Sequence, residues 1–211
     1  PRIVSGHSGI AAVALVQTRA SLIAGDDVAL SITVGAGARL EVAELGAMLA
    51  HDVRRGPAVS LRTEIAVGCG GVLIWVGKPL IAGDGSSTVR TTSVALSGSG
   101  QALLGEAVVL GRARETPGAL TARIRLTADG EAVLDETLDT RDLDTLRSPI
   151  VAGNASMISS LTLAGLRDAD PPRAVMQAHG PATLWPSAGG AVTGARKMEE
   201  LAERWRRLLG A

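Results

Sequence analysis

The chain has 211 residues, 46% of them hydrophobic, and its 21 basic side chains are balanced by 21 acidic ones. That length supports one substantial core or two small ones, and zero net charge leaves no overall field to recruit nucleic acid or an anionic membrane. Three tryptophans without any Tyr or Phe also exclude an aromatic platform for stacking single-stranded bases.

Period-two alternation dominates the first two-thirds of the chain. Val28, Leu30, Ile32 and Val34 alternate with small residues; Val59, Leu61, Ile65 and Val67 share one face of the next such run. Leu120, Ala122, Ile124 and Leu126 repeat the pattern further on. This is the signature of strands with one buried face. Strands are expected over roughly 11–18, 28–34, 39–48, 59–67, 72–76, 88–96, 101–112, 120–126, 131–138 and 156–164, forming a mainly antiparallel body.

The turns recur. Gly35-Ala36-Gly37, Gly68-Cys69-Gly70 and Gly98-Ser99-Gly100 each end a strand, and Ala128-Asp129-Gly130 holds the corresponding place. An aliphatic follows three residues after each final glycine: Leu40, Leu73, Leu103 and Val133. Glycine suits tight loops that need a positive φ. A strand-turn-strand unit repeated about every 30 residues predicts hairpins stacked side by side in a solenoid-like, β-helical sheet.

Residues 168–190 carry Asp170-Pro171-Pro172, His179-Gly180-Pro181 and Trp185-Pro186, which read as irregular or edge segments. A helix is expected over 194–209, where Met198, Leu201, Ala202, Trp205, Leu208 and Leu209 form one apolar stripe. Thr193 is a candidate cap, and Glu200 and Glu203 precede Arg204 and Arg207 by four residues, the favourable order for helix ion pairs. The expected organisation is a single domain over 1–211, with stacked strands over 1–165 and a Pro/Gly-rich segment plus helix over 166–211.

Catalytic signatures are missing from the sequence. It has no phosphate-binding G-x-x-x-x-G-K-[ST] loop, no dinucleotide fingerprint and no G-x-S-x-G elbow. One cysteine and three scattered histidines (His7, His51, His179) give no metal-ligand spacing. His51-Asp52 reads as a surface pair, and Cys69 as a small turn residue or a reactive thiol. A lone cysteine cannot form an intramolecular disulfide, no apolar run approaches the roughly 18 residues of a membrane span, and the N-terminus lacks a signal-peptide pattern, so a cytoplasmic location is expected. A mean hydropathy of +0.26 is compatible with an Ala- and Val-rich core or a partner-covered surface. What remains are acids beside apolar strands: Asp26 and Asp27, Glu106 within Leu103–Leu110, and Glu136 between Leu134 and Leu138. Glu106 and Glu136 must face solvent, pair with an arginine such as Arg112, or line a water-filled passage. Carboxylates along a passage suit a divalent cation held weakly enough to move on.

Several of these segments, in order, resemble one family. Ile23-Ala24-Gly25-Asp26-Asp27-Val28 followed by Val34-Gly35-Ala36-Gly37-Ala38 is similar to the Gly-Gly-Asp segment of the urease accessory protein UreD (UreH). Val72-Leu73-Ile74-Trp75-Val76 resembles that family's leucine–glutamate–tryptophan strand, and Leu104-Gly105-Glu106 with Leu110-Gly111-Arg112 its acid-then-Leu-Gly-Arg segment. Asp135-Glu136-Thr137-Leu138 resembles its Glu-Arg-Leu strand, and Trp185-Pro186-Ser187-Ala188-Gly189-Gly190 its C-terminal end. The chain departs from the family pattern at Ala24-Gly25-Asp26, across Leu45–Arg55, which lacks the family's lysine and tyrosine, and at Pro79. The resemblance implies a non-enzymatic maturation scaffold with a mostly β, helical stack of strands. It implies binding to urease apoprotein and to a UreF-type accessory protein that recruits the GTPase UreG. Nickel is implied in transit through a passage, with no permanent cofactor, and Asp26, Glu106, Arg112 and Glu136 are the positions carried over. Two alternatives stand beside it: a cofactor-free acid–base enzyme using Glu106 and Glu136, and a stand-alone β-solenoid module binding carbohydrate or peptide.

Overall fold

The computed structural model describes residues 2–7, 10–19 and 21–210. In chain order the elements are β1 (Arg2–His7), β2 (Ile10–Leu15), β3 (Ser21–Leu22), β4 (Asp27–Val34), β5 (Arg39–Glu44), β6 (Met48–Ala50), β7 (Val59–Val67), β8 (Val72–Val76) and β9 (Leu80–Ala82). They continue as β10 (Ser87–Leu96), β11 (Gln101–Val109), β12 (Ala119–Ala128), β13 (Glu131–Asp139), α1 (Leu143–Arg147), β14 (Met157–Ala164), β15 (Met176–Gln177), β16 (Ala182–Gly189) and α2 (Ala191–Leu208).

The chain is mainly β, a solenoid of stacked strands carrying a C-terminal helix. Its two sheets run β13-β12-β10-β7-β4 and β1-β2-β5-β8-β11-β14-β16-β15, with the short strands β3, β6 and β9 attached to the second. Alternate side chains of both sheets meet between them. Ile32, Val34, Ile65, Val67 and Leu73 pack at the glycine-turn end, and Leu22, Ala50, Val59, Leu61, Leu80 and Leu120 at the other.

The glycine turns do two different jobs. Those at 35–38, 68–71 and 97–100 carry the chain from one sheet to the other, so the strands they join stack on the next coil instead of pairing with each other. Coil-to-coil pairing is parallel along β4, β7, β10 and β12 and along β2, β5, β8 and β11. Antiparallel pairing joins β1 to β2, β12 to β13, β11 to β14, β14 to β16 and β16 to β15. Asp129-Gly130 alone of the four makes a hairpin, between β12 and β13. Both of its residues have positive φ (50° and 85°), as a type I′ turn requires. The third turn is offset by one residue from the expected phase: Ala102, not Leu103, stacks on Leu73.

The C-terminal third holds more structure than its prolines indicate. Residues 182–189 form β16, paired with β14 along its length but with β15 only at Thr183 and Leu184. Pro186 therefore lies where the second side of the strand is unpaired, the place a strand proline is tolerated. Helix α2 begins three residues earlier than expected and buries Met198, Leu201, Ala202 and Trp205 against the outer face of the second sheet, beside Val72, Ile74, Leu103 and Leu161. Thr193 does not cap it; its hydroxyl donates to the Gly190 carbonyl, and Ser156 Oγ accepts from Ala191 N–H at 3.1 Å. Nor do the expected Glu200–Arg204 and Glu203–Arg207 pairs form. Arg204 turns instead to Asp168 (3.2 Å), while Glu200 faces Arg196 and Glu203 faces Arg206.

Candidate functional site

Between the two apolar clusters, the inter-sheet space becomes polar. On β10, residues of even number face inward, so Thr88, Arg90 and Thr92 enter the space that Val94 and Leu96 fill further along. On β11 the same parity sends Ala102, Leu104 and Glu106 inward, while Leu103 and Ala107 face α2. Across the second sheet Val42, Trp75 and Leu104 stand in one row, and the next inward level holds Glu44, Gly77 and Glu106. Space is tight at Gly77, where a Cβ would come 3.1 Å from the Gly105 carbonyl and 3.3 Å from the Glu44 carboxylate.

Of these residues, Glu44, Trp75, Gly77, Arg90, Thr92, Leu104 and Glu106 line a cavity of about 450 Å³. Glu106 Oε1 accepts from Thr92 Oγ1 at 2.7 Å and Oε2 from the Arg90 guanidinium at 3.4 Å. With side-chain exposures of 23% and 16%, the ion pair is shielded enough for both charges to need each other. Glu44 accepts from Trp75 Nε1 and from Lys78 N–H, both at 2.9 Å. Burial pushes its carboxyl above the ordinary range, opposed by those two hydrogen bonds and by the charges of Arg90 and Lys78. The cavity opens towards residues 15–19 and the start of β4, where Asp26 and Val28 line its mouth. One Asp26 oxygen is already engaged, accepting from Ile23 N–H at 2.9 Å to close its own turn.

Of the four residues singled out in the sequence, Asp26 and Glu106 therefore share one cavity. Arg112 and Glu136 lie elsewhere. Arg112 clamps an exposed loop: its Nε and N–H donate to Glu115 at 2.7 and 2.9 Å, and that pairing holds the Glu115 carboxyl down to about 2. The arginine that meets Glu106 is Arg90, not Arg112. Glu136 is exposed on the edge strand β13, opposite Ile124, on the inward face but beyond the cover of the second sheet. Glu106 and Glu136 do not share a concave site, which removes the geometry an acid–base pair requires. The aromatic platform of a carbohydrate-binding module is missing too: Trp205 and Trp185 are buried and Trp75 faces the cavity.

Sequence reasoning passed over Glu44 and Arg90. Their signal was strand parity: Glu44 is in phase with Leu40 and Val42, and Arg90 with Val94 and Leu96. A charged residue in phase with a buried face marks either a strand end or a polar chamber. The remaining candidates are accounted for locally. His51 Nε2 meets Ser21 Oγ at 3.0 Å, Asp52 accepts from Arg54 N–H, and exposed Cys69 contacts Ser99 Oγ at 3.4 Å, which lowers its thiol's pKa. Among the described residues no group of three or more His, Cys, Asp or Glu is placed to hold a metal ion, and no helix is long and apolar enough to cross a membrane.

Comparison with known proteins agrees with the ordered motifs. Residues 3–211 match the family model described as UreD urease accessory protein. The chain is 39% identical over 160 residues to urease accessory protein UreD 1 of Streptomyces griseus, covering 76% of this chain and 62% of that protein. It is 36% identical over 137 residues to UreD of Streptomyces coelicolor, covering 65% and 54%. With UreD of Cereibacter sphaeroides it shares 32% identity over 177 residues, covering 80% and 64%. Each match spans less than two thirds of the relative's length. A family model matched across almost the whole chain, on a solenoid carrying those motifs in order, places this chain in the UreD family of urease accessory proteins.

Proposed function

We propose that the chain acts as a non-enzymatic scaffold in urease maturation. In this reading it binds urease apoprotein and a UreF-type accessory protein, through which a UreG-type GTPase joins, in the cytoplasm. Nickel is its cargo, passing through the inter-sheet cavity without a permanent site. The observation that carries this reading is the position of Glu106, a carboxylate inside the cavity of the solenoid, with Asp26 at the mouth and Glu44 on the same inward level two strands across. Each carboxylate is already held by protein donors, so it offers a cation a single weak contact rather than a cage, which suits release over retention. Arg112 and Glu136, outside the cavity, would serve at its surroundings or at partner contacts. Ile150, Val192 and Leu45, with exposures of 94%, 85% and 69%, add apolar surface of the kind partners cover.

The test is co-expression with the UreF-type protein, the UreG-type GTPase and urease apoprotein. Co-elution together with nickel-dependent urease activity that is lost when this chain is omitted is the expected result. A monomer that ignores all three components, with urease activated equally in its absence, would overturn the proposal.

A further inference from the structure

Arg90 and Glu106 come from opposite sheets, β10 of the first and β11 of the second, so their ion pair crosses the inter-sheet space. Among the described residues it is the one pair in which both side chains are less than a quarter exposed. A shielded pair is stable when its geometry is close and its donors are used. This one is neither. The guanidinium makes a single contact, 3.4 Å from Oε2, and its Nε is buried without a partner. Arg123, out in solvent, grips Asp135 through Nε and an Nη at 2.8 and 2.6 Å.

The two members are also held unequally. Thr92 fixes Glu106 at its other oxygen, at 2.7 Å, whereas Arg90 has Glu106 alone. A second anion lies within its field. Glu44 stands on the same inward level two strands across, with only Gly77 between, and the Arg90 charge already helps to hold the Glu44 carboxyl down against burial. Glu44 is itself anchored by Trp75 Nε1 and Lys78 N–H. Arg62, which also lines the cavity, is taken by Asp27 and Ser60. One long, loosely held cation therefore faces two fixed carboxylates and can neutralise one of them at a time.

We propose that Arg90 is the built-in counter-cation of the cavity, seated at the Glu106 oxygen that a cargo ion needs, and that nickel passes by exchanging with it. The guanidinium swings towards Glu44 as the metal takes Glu106, then returns and expels the metal. This rests on the scaffold reading with nickel as cargo, and it supplies what that reading lacks, a reason for the ion to leave.

Equilibrium dialysis of the purified chain against Ni²⁺ alone tests it, with thermal unfolding followed in parallel. Arg90→Gln should bind Ni²⁺ at least about tenfold more tightly than wild type, because Glu106 loses the cation that competes for it. The double variant Arg90→Gln/Glu106→Gln should return to the wild-type value. A folded Arg90→Gln chain that binds like wild type, or a gain that survives in the double variant, overturns the role of Arg90. The wild-type chain offers a measurement that needs no Arg90 variant. Excess Ni²⁺ should broaden the Arg90 Nε–H resonance, and Glu106→Gln should abolish that effect; a resonance that Ni²⁺ leaves unchanged overturns the exchange. The scaffold reading fails separately. Urease that loads nickel fully with Glu106→Gln overturns the passage and the exchange together, whereas lowered loading with an unresponsive Arg90 overturns the exchange alone.

Discussion

Asp168 joins the C-terminal helix to the body of the solenoid. Its side chain is 2% exposed, and it accepts from Arg204 and, at 3.0 Å, from Trp205 Nε1. Burial alone would raise its pKa, but the Arg204 and Trp205 hydrogen bonds and the Asp170 N–H outweigh burial and hold the carboxyl below the ordinary aspartate range. A depressed folded-state pKa means stability present above the ordinary value and lost as the pH falls through the folded one. Wild-type stability should therefore decline below about pH 4. Asp168→Asn should cost about 1–3 kcal/mol at neutral pH, tempered by the partial exposure of Arg204, and should flatten part of that acid dependence. Denaturant unfolding of both proteins between pH 3 and 7 checks it; parallel curves would contradict the assignment. The sequence displayed Asp168 only as one acid before a proline pair, because its partners lie on a helix 36 residues away.

At the scale of elements, the glycine turns separate conformational need from mere smallness. Gly37 and Gly70 have φ of 64° and 67°, while Gly35 has an ordinary φ and nothing within 4 Å of an added Cβ. Gly37→Ala should cost about 1–2 kcal/mol and Gly35→Ala less than about 0.5 kcal/mol, measured by chemical denaturation; equal losses would show that the turn geometry is not what selects glycine. Strands over 28–34, 59–67 and 88–96 were legible because one buried face writes period two into the sequence. The turns were legible as turns. Whether a glycine turn folds a strand back on its neighbour or hands it to the opposite sheet is decided by coil-to-coil pairing, which local pattern does not record. Asp129-Gly130 was the exception, since a two-residue turn with two positive φ values has its own signature. β16 escaped because Pro186 argues against a strand until its unpaired side is known.

At the scale of the whole molecule, two sheets of unequal width enclose a chamber that is polar at Glu44, Arg90, Thr92 and Glu106 and apolar on both sides. The ordered motifs located Asp26 and Glu106 and the family, and the solenoid was legible from the repeat. The pairing of Glu106 with Arg90 was not, because it joins two strands through their shared inward parity across the sheets. The separation of Arg112 and Glu136 from the cavity was equally invisible, since nearness along a strand says nothing about which sheet covers it. The account therefore stands on Glu106 more than on any other residue. The most direct measurement is the nickel content and activity of urease matured with wild-type chain, Glu106→Gln and Glu136→Gln, with co-elution of the assembly monitored in parallel. Glu106→Gln should lower nickel loading by about tenfold or more with the assembly intact, the order expected when a charged contact worth over one kcal/mol is removed, and Glu136→Gln should stay near wild type. Full nickel loading with Glu106→Gln in an intact assembly would contradict passage through the inter-sheet cavity.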